Sequence, residues 1–176
     1  MKPYYLNLNK RLISDSFSTK LVEIAESNIN SFESYVSKVY NEPDGIEYLN
    51  NNKIAYYPEI AKLKKICRLD FSPVLIMQKP NTVIRPHVDD GNKRSSLLIT
   101  PLMPRINYVP TLFWDRNTKT HVATCEFPNF NTALINTKEL HGLTNINVHR
   151  INLQFCFNES FETVANLYET GELFKN

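Results

Sequence analysis

The strongest constraint on the fold lies between Val74 and Phe157, where short apolar, β-branched segments alternate with Pro, Asn, Asp and Gly. Eight such segments are present, near residues 74–79, 82–89, 95–100, 111–115, 121–126, 131–136, 141–146 and 150–157. Short strands separated by turn-forming residues are typical of β-sandwiches and barrels. In the last segment apolar and mostly polar residues alternate, so a strand there would turn one row towards a core and could turn the other towards a polar cavity.

Helical spacing of apolar residues predicts helices on both sides of this β-rich region. The first is expected over residues 19–40 with Ser18 as its cap, and a shorter one from Pro58 to about Arg68. A final helix is expected from Glu159 to Thr170, capped by Asn158. The predicted organisation is a single domain of 176 residues, with residues 1–70 as helical support, 71–158 as the β core and 159–176 as the C-terminal helix.

Composition narrows the functional classes. The net charge is +2 and no long basic run is present, which argues against nucleic acid as a partner. No apolar stretch has the length of a signal peptide or a membrane span, so we expect a soluble, cytoplasmic protein without a membrane partner. Three widely spaced cysteines fit neither a disulfide framework nor a CxxC pair, and we expect reduced thiols.

Two candidate metal ligands, His87 and Asp89, are separated by one residue. On a strand, side chains at i and i+2 leave from the same face about 7 Å apart, so both can reach one ion. Asp90 has the opposite parity and should point away from that ion. The pattern therefore predicts His87 and Asp89 as a pair of metal ligands.

A third ligand is required, and His141 is the best candidate. About four strand-like segments separate it from Asp89, as in a jelly roll, where the second and seventh strands lie side by side. His121 suits this geometry less, and His149 has the parity opposite to its neighbour Arg150. Two neutral imidazoles and one carboxylate form the facial ligand set typical of non-haem iron(II) enzymes.

Arg150 stands nine positions after His141, at the head of the polar row. A buried guanidinium needs an anionic partner, and a cationic metal site next to it complements a small dianion such as 2-oxoglutarate. Gln78 and Asn152 could line the same cavity.

These motifs resemble those of the 2-oxoglutarate and iron(II)-dependent oxygenases, particularly the prolyl hydroxylases and the aspartyl/asparaginyl β-hydroxylases. The resemblance covers about residues 74–157 and rests on the segments Thr82–Asp89, Leu97–Leu102, Phe130–Thr137, His141–Asn145 and Arg150–Phe155. It implies a double-stranded β-helix, a jelly-roll, cupin-like fold that is mainly β with flanking helices. It further implies Fe(II) on His87, Asp89 and His141, with 2-oxoglutarate held at its distal carboxylate by Arg150. The hydroxylase branch often carries an Arg soon after its His-x-Asp motif, so the resemblance makes Arg94 a second candidate for contact with the co-substrate or the substrate, with a solvated loop charge as the equal alternative.

The activity that the resemblance implies is O2-dependent hydroxylation, coupled to oxidative decarboxylation of 2-oxoglutarate to succinate. The expected substrate is a peptide side chain, an amino acid or a small metabolite. Two rival interpretations stay open: a cupin-type metal-binding protein or enzyme that does not use 2-oxoglutarate, and a non-catalytic β-sandwich binding module. The loop from Pro101 to Pro110 could cover the substrate or be an ordinary crossover.

Overall fold

The computed structural model describes residues 4–27, 33–36, 43–49, 54–89, 94–144 and 147–175. The strands of these ranges are β1 (Tyr5–Asn7), β2 (Glu33–Val36), β3 (Pro43–Leu49), β4 (Ser72–Gln78), β5 (Ile84–His87), β6 (Ser96–Met103), β7 (Thr111–Trp114), β8 (His121–Cys125), β9 (Ala133–Asn136), β10 (His141–Leu143) and β11 (Arg150–Phe157). The helices are α1 (Asp15–Ser27), α2 (Pro58–Ile66) and α3 (Phe161–Glu169). No helix among these ranges is both long enough and apolar enough to span a bilayer.

The strands form two antiparallel sheets. The large sheet has the order β1-β9-β6-β11-β4-β3-β2, and the small sheet has the order β5-β10-β7-β8. All eight segments that the sequence predicted are strands, from β4 to β11, within a few residues of their expected bounds. The predicted neighbours, the second and the seventh segments, pair as β5 and β10.

Strand β11 lies at the centre of the large sheet, between β4 and β6. Its odd-numbered residues, from Ile151 to Phe157, belong to the main core, which packs them against the helices. Its even-numbered residues, Arg150, Asn152, Gln154 and Cys156, have the opposite parity and are also buried. One strand therefore supplies both the apolar core and a polar interior row.

A second, smaller apolar cluster lies between the two sheets. It joins Leu97 and Ile99 of β6 with Phe113 of β7 and Cys125 of β8. Tyr108, from the loop between β6 and β7, packs against the same cluster. This layer holds the small sheet over the polar row of β11.

The first predicted helix was wrong in its bounds. Helix α1 begins at Asp15 and ends at Ser27, and Glu33–Val36 forms strand β2, paired with β3. The apolar residues of this stretch fit the spacing of either a helix or a strand, and pairing with β3 takes precedence over the local helical spacing. Three strands from the first 70 residues, β1, β2 and β3, join the large sheet.

The two predicted helix caps were also wrong. Ser14, and not Ser18, precedes α1, and its hydroxyl accepts a hydrogen bond from the Phe17 amide at 3.2 Å. Ser160, and not Asn158, caps α3 by accepting a hydrogen bond from the Thr163 amide. The helix from Pro58 is confirmed as α2, and proline stands at the start of that helix, where its missing N–H costs no hydrogen bond.

Candidate active site

Strands β5 and β10 bring two histidines together. His141 of β10 pairs directly with His87 of β5, and their ring centroids lie 4.5 Å apart. Gly142 permits this approach, since a Cβ atom there would overlap the carbonyl oxygen of Ile84 and lie 3.1 Å from that of Arg85. The pairing of the two histidines therefore requires glycine at position 142.

Asp89 lies just beyond β5 and completes the cluster. Its Oδ1 atom lies 3.3 Å from Nε2 of His87 and 3.9 Å from Nε2 of His141. Ligand atoms about 2.1 Å from one ion, at right angles to each other, lie roughly 3 Å apart. One ligand atom from each residue fits within 4.8 Å, so a small movement would allow all three to share an ion. Asp90, predicted to point away, lies outside the described residues.

Backbone carbonyls orient both imidazoles. Nδ1 of His87 lies 2.9 Å from the carbonyl oxygen of Arg85, and Nδ1 of His141 lies 2.9 Å from that of Glu139. A carbonyl oxygen only accepts, so each Nδ1 donates, and Nε2 of each ring is the nitrogen that faces Asp89. Binding of Nδ1 to a backbone carbonyl, with Nε2 directed at the ion, is the arrangement found in metal-binding histidines.

Burial sets the protonation states of the cluster. Burial, with the nearby His87, lowers the pKa of His141 to about 4, so the imidazole is neutral at neutral pH. Burial alone would raise the pKa of Asp89, but the hydrogen bond from His87 and the charges of His141 and Arg94 hold that pKa below its usual value. Asp89 is therefore ionised and His141 neutral at neutral pH, which are the forms in which these two residues can bind a metal.

Arg94 lies beside this cluster and not beside Arg150. Its Nε atom is 3.9 Å from Oδ2 of Asp89, and its Nη2 donates to Oε1 of Gln154 at 2.6 Å. Its side chain is partly exposed, at 39%. Arg94 is therefore not an isolated loop charge, and its contact with a co-substrate or substrate stays a prediction.

Arg150 is buried at the head of β11, with 2% of its surface exposed. Its Nη1 donates to Oε1 of Gln78 at 2.7 Å, and its Nε donates to the carbonyl oxygen of Val109 at 3.3 Å. The guanidinium carbon lies 4.4 Å above the ring of Tyr108. Burial lowers the pKa of Arg150, but an arginine keeps its charge in proteins.

This guanidinium lacks an anion. Its buried Nη2 atom has no hydrogen-bond partner, and no carboxylate of the described residues forms an ion pair with it. An unpaired buried charge is expensive, so such groups bind a counter-ion or a ligand. Arg150 thus has the free donor that a carboxylate ligand would need.

Two further buried polar groups lie near Arg150 in the structure. Neither amide atom of Asn152, two positions along the same face of β11, nor the hydroxyl of Tyr108 has a hydrogen bond of good geometry, although the two side chains lie close enough for Asn152 to lower the pKa of Tyr108. Burial raises the pKa of Tyr108 to about 12, so this hydroxyl is a proton donor at neutral pH. Sequence analysis selected Asn152 and Gln78 but not Tyr108, which lies in the loop from Pro101 to Pro110, because the alternation of a strand gives no information about loop residues.

The two histidines set aside from the sequence lie apart from the metal-ligand cluster. His121 belongs to β8, at the edge of the small sheet opposite to β5, and its Nε2 lies 3.0 Å from Oγ1 of Thr124. His149 precedes β11 and is only partly buried.

No protein-family profile and no curated protein match this sequence. Solved structures do match. A prolyl hydroxylase from Trichoplax adhaerens, in complex with a peptide of the oxygen degradation domain of hypoxia inducible factor, gives a TM-score of 0.64 at 13% identity, over 93% of this chain and 88% of that one. A Pseudomonas putida prolyl-4-hydroxylase gives 0.55 at 11% identity, over 90% and 94%. An oxidoreductase of the 2OG-Fe(II) oxygenase family from Burkholderia pseudomallei gives 0.55 at 6% identity, over 90% and 86%.

The chain has the double-stranded β-helix fold. The predicted fold class, mainly β with flanking helices, is therefore confirmed, as is the resemblance to these oxygenases at the level of fold. The same β-helix also occurs in SnoN, an α-ketoglutarate-dependent epimerase of nogalamycin biosynthesis, with a TM-score of 0.57 at 10% identity over 88% of this chain and 77% of that one. Because one fold supports different reactions, the chemistry of this chain must be argued from its own side chains.

Proposed function

We propose that the protein is a 2-oxoglutarate- and Fe(II)-dependent dioxygenase that hydroxylates a peptide side chain, an amino acid or a small metabolite. The observation that carries the proposal is the convergence of two imidazole nitrogens and one carboxylate oxygen within 4.8 Å, next to paired strands of a β-helix. His87, Asp89 and His141 would hold the metal. Arg150 would hold the distal carboxylate of 2-oxoglutarate.

The chemistry of the donor set favours iron(II). Two neutral nitrogens and one carboxylate on one side of an ion leave three coordination positions open, as in the non-haem iron oxygenases. A structural zinc site would instead close its shell with four protein ligands. Among the described residues, the cluster consists of these three ligands alone.

The unpaired Nη2 of Arg150 supports a dicarboxylate co-substrate. A carboxylate there would satisfy the buried donor, while Gln78 and Val109 hold the rest of the guanidinium in place. Tyr108 and Asn152 offer further donors to the same ligand. A buried cation with an unsatisfied donor, next to further buried polar groups without good hydrogen bonds, favours use of 2-oxoglutarate over the cupin-type alternative.

When bound, iron(II), 2-oxoglutarate and O2 would supply the oxidising power for hydroxylation, with 2-oxoglutarate decarboxylated to succinate and CO2, one oxygen atom of O2 going to succinate and the other to the substrate. The residues of the chain orient the metal ligands and Arg150 and keep one metal ligand uncharged. The Arg85 and Glu139 carbonyls fix the two imidazoles, and the ring of Tyr108 supports the guanidinium of Arg150. Burial of His141 keeps that ligand neutral.

Prolyl hydroxylases among the similar structures support a peptide or amino acid substrate, and the epimerase supports a small metabolite. The net charge of +2 argues against a nucleic acid. We also propose a cytoplasmic location, supported by three free, buried thiols at Cys67, Cys125 and Cys156, which suit a reducing compartment.

The test is anaerobic addition of Fe(II) and 2-oxoglutarate to the purified protein. We expect a visible charge-transfer band from the chelate, and succinate after oxygen is admitted. His141→Ala should abolish both signals, whereas His121→Ala, a histidine variant on the opposite edge strand, should retain them. Metal binding without the band would favour a cupin that does not use 2-oxoglutarate, and the absence of metal binding would favour a non-catalytic module.

A further inference from the structure

The two oxygens of Asp89 have different neighbours. Oδ1 faces Nε2 of His87 and Nε2 of His141, at 3.3 and 3.9 Å. Oδ2 faces Nε of Arg94 at 3.9 Å. The side chain of Asp89 is 14% exposed, so its orientation is set by these neighbours more than by water.

Arg94 is held from two directions. Its side chain donates to Gln154, a residue of the polar row of β11, at 2.6 Å. Its backbone carbonyl accepts a hydrogen bond from the hydroxyl of Thr137. The carbonyl of Thr137 in turn accepts from the amide of Asp89 at 3.0 Å, so one residue ties down the backbones on both sides of the contact.

We propose that Arg94 is a positioning residue that, anchored by Gln154, keeps Asp89 turned so that a single carboxylate oxygen faces the metal. This inference rests on the proposed function, since it assigns a role around the same metal. A carboxylate free to rotate can bind an ion through both oxygens. With Oδ2 attracted to the guanidinium, Asp89 would bind through Oδ1 and would occupy one coordination position.

The orientation of Asp89 matters because it determines how many coordination positions of the metal stay open. A six-coordinate ion with three protein ligands has three positions left, and a chelating 2-oxo acid with O2 needs all three. A second oxygen from Asp89 would remove one of them. Arg94 therefore acts through Asp89, and we assign it no direct contact with the co-substrate.

The test is a titration of the purified protein with Co(II), which replaces Fe(II) without reacting with oxygen in the assay and reports its coordination by visible absorption. We expect Arg94→Gln to weaken Co(II) binding about 10- to 100-fold, the usual range for partners of metal ligands. We also expect its absorption band to change, because Asp89 becomes free to bind through two oxygens. Arg105→Gln, which removes an exposed arginine paired with Asp15, should alter neither.

Gln154→Leu provides a second variant that leaves Arg94 in place. We expect the same change of band with a smaller loss of affinity, and the double variant Arg94→Gln/Gln154→Leu should bind Co(II) no more weakly than Arg94→Gln alone. Additive losses of Co(II) affinity would show that the two residues act separately, and would overturn the proposal that Gln154 acts through Arg94.

Three results distinguish a failure of this inference from a failure of the proposed function. Unchanged Co(II) affinity and band in folded Arg94→Gln would overturn this inference and leave the proposed function standing. A loss confined to 2-oxoglutarate affinity at saturating Co(II) would also overturn it, by making Arg94 a co-substrate ligand. Wild-type protein that binds no Co(II) would overturn the proposed function and this inference with it.

Discussion

Replacing Arg150 by Met removes the buried positive charge that would bind the distal carboxylate of 2-oxoglutarate, and leaves an apolar side chain of similar length. Nη1 and Nε already donate to Gln78 and Val109, and Nη2 is the guanidinium nitrogen that has no partner, so we count one new bond to a ligand from Nη2. One hydrogen bond to a charged partner contributes about 1.5–3 kcal/mol. At about 1.4 kcal/mol for each factor of ten, Arg150→Met should weaken 2-oxoglutarate binding by roughly 10- to 150-fold.

The assay is calorimetric titration with 2-oxoglutarate, and separately with pyruvate, of protein saturated with Mn(II). Pyruvate keeps the 2-oxo acid that chelates the metal but lacks the distal carboxylate. Wild-type protein should prefer 2-oxoglutarate, and Arg150→Met should lose most of that preference while its Mn(II) affinity is unchanged. Arg105→Met serves as the control for loss of an arginine elsewhere.

A preference for 2-oxoglutarate that survives in Arg150→Met would refute the reasoning, because the distal carboxylate would then be bound by another group. Equal, weak binding of both acids by the wild type would refute it too. Weakened Mn(II) binding in Arg150→Met would place Arg150 in the metal centre and not in a separate pocket.

Three further predictions follow from the same geometry. Gly142→Ala should lower Co(II) affinity more than tenfold with an unchanged circular dichroism spectrum, because its methyl group would push β5 and His87 away from His141. Asp89→Ala should abolish Co(II) binding and Asp90→Ala should not, and equal losses would contradict the strand parity. The raised pKa of Tyr108 means that folding is stabilised below pH 10, and this stabilisation is lost as pH rises towards 12. In urea denaturation, Tyr108→Phe should therefore lose less stability than the wild type between pH 9 and 11.

The core strands could be predicted because they are locally encoded. From β4 to β11, each strand carries its own apolar alternation and ends at turn-forming residues. Strands β1, β2 and β3 were missed because their pairing depends on distant partners: Tyr5 of β1 lies opposite Ile135 of β9. Such pairing leaves no mark in the local sequence pattern.

Some residues of the candidate site could likewise be predicted from the sequence, and others could not. Strand parity selected His87 and Asp89 and the order of strands selected His141, and the structure brings the three together although Asp89 lies just beyond β5. Tyr108 could not be found, since it comes from a loop whose path depends on packing against the second core. Arg94 was found, but its contact with Asp89 depends on a side-chain conformation that spacing does not encode.

Strand β11 couples the site to the stability of the fold. Its odd-numbered residues fill the main core, and its even-numbered residues Arg150, Asn152 and Gln154 form the polar row beside the candidate site. A slip of one residue in the pairing with β4 or β6 would exchange the two rows, burying the guanidinium in the apolar core and opening the core to the polar interior. Such a slip is costly on both faces at once. The apolar residues of β11 therefore fix the position of Arg150 and Gln154 as firmly as they fix the core, which allows this fold to hold an unpaired buried cation ready for a ligand.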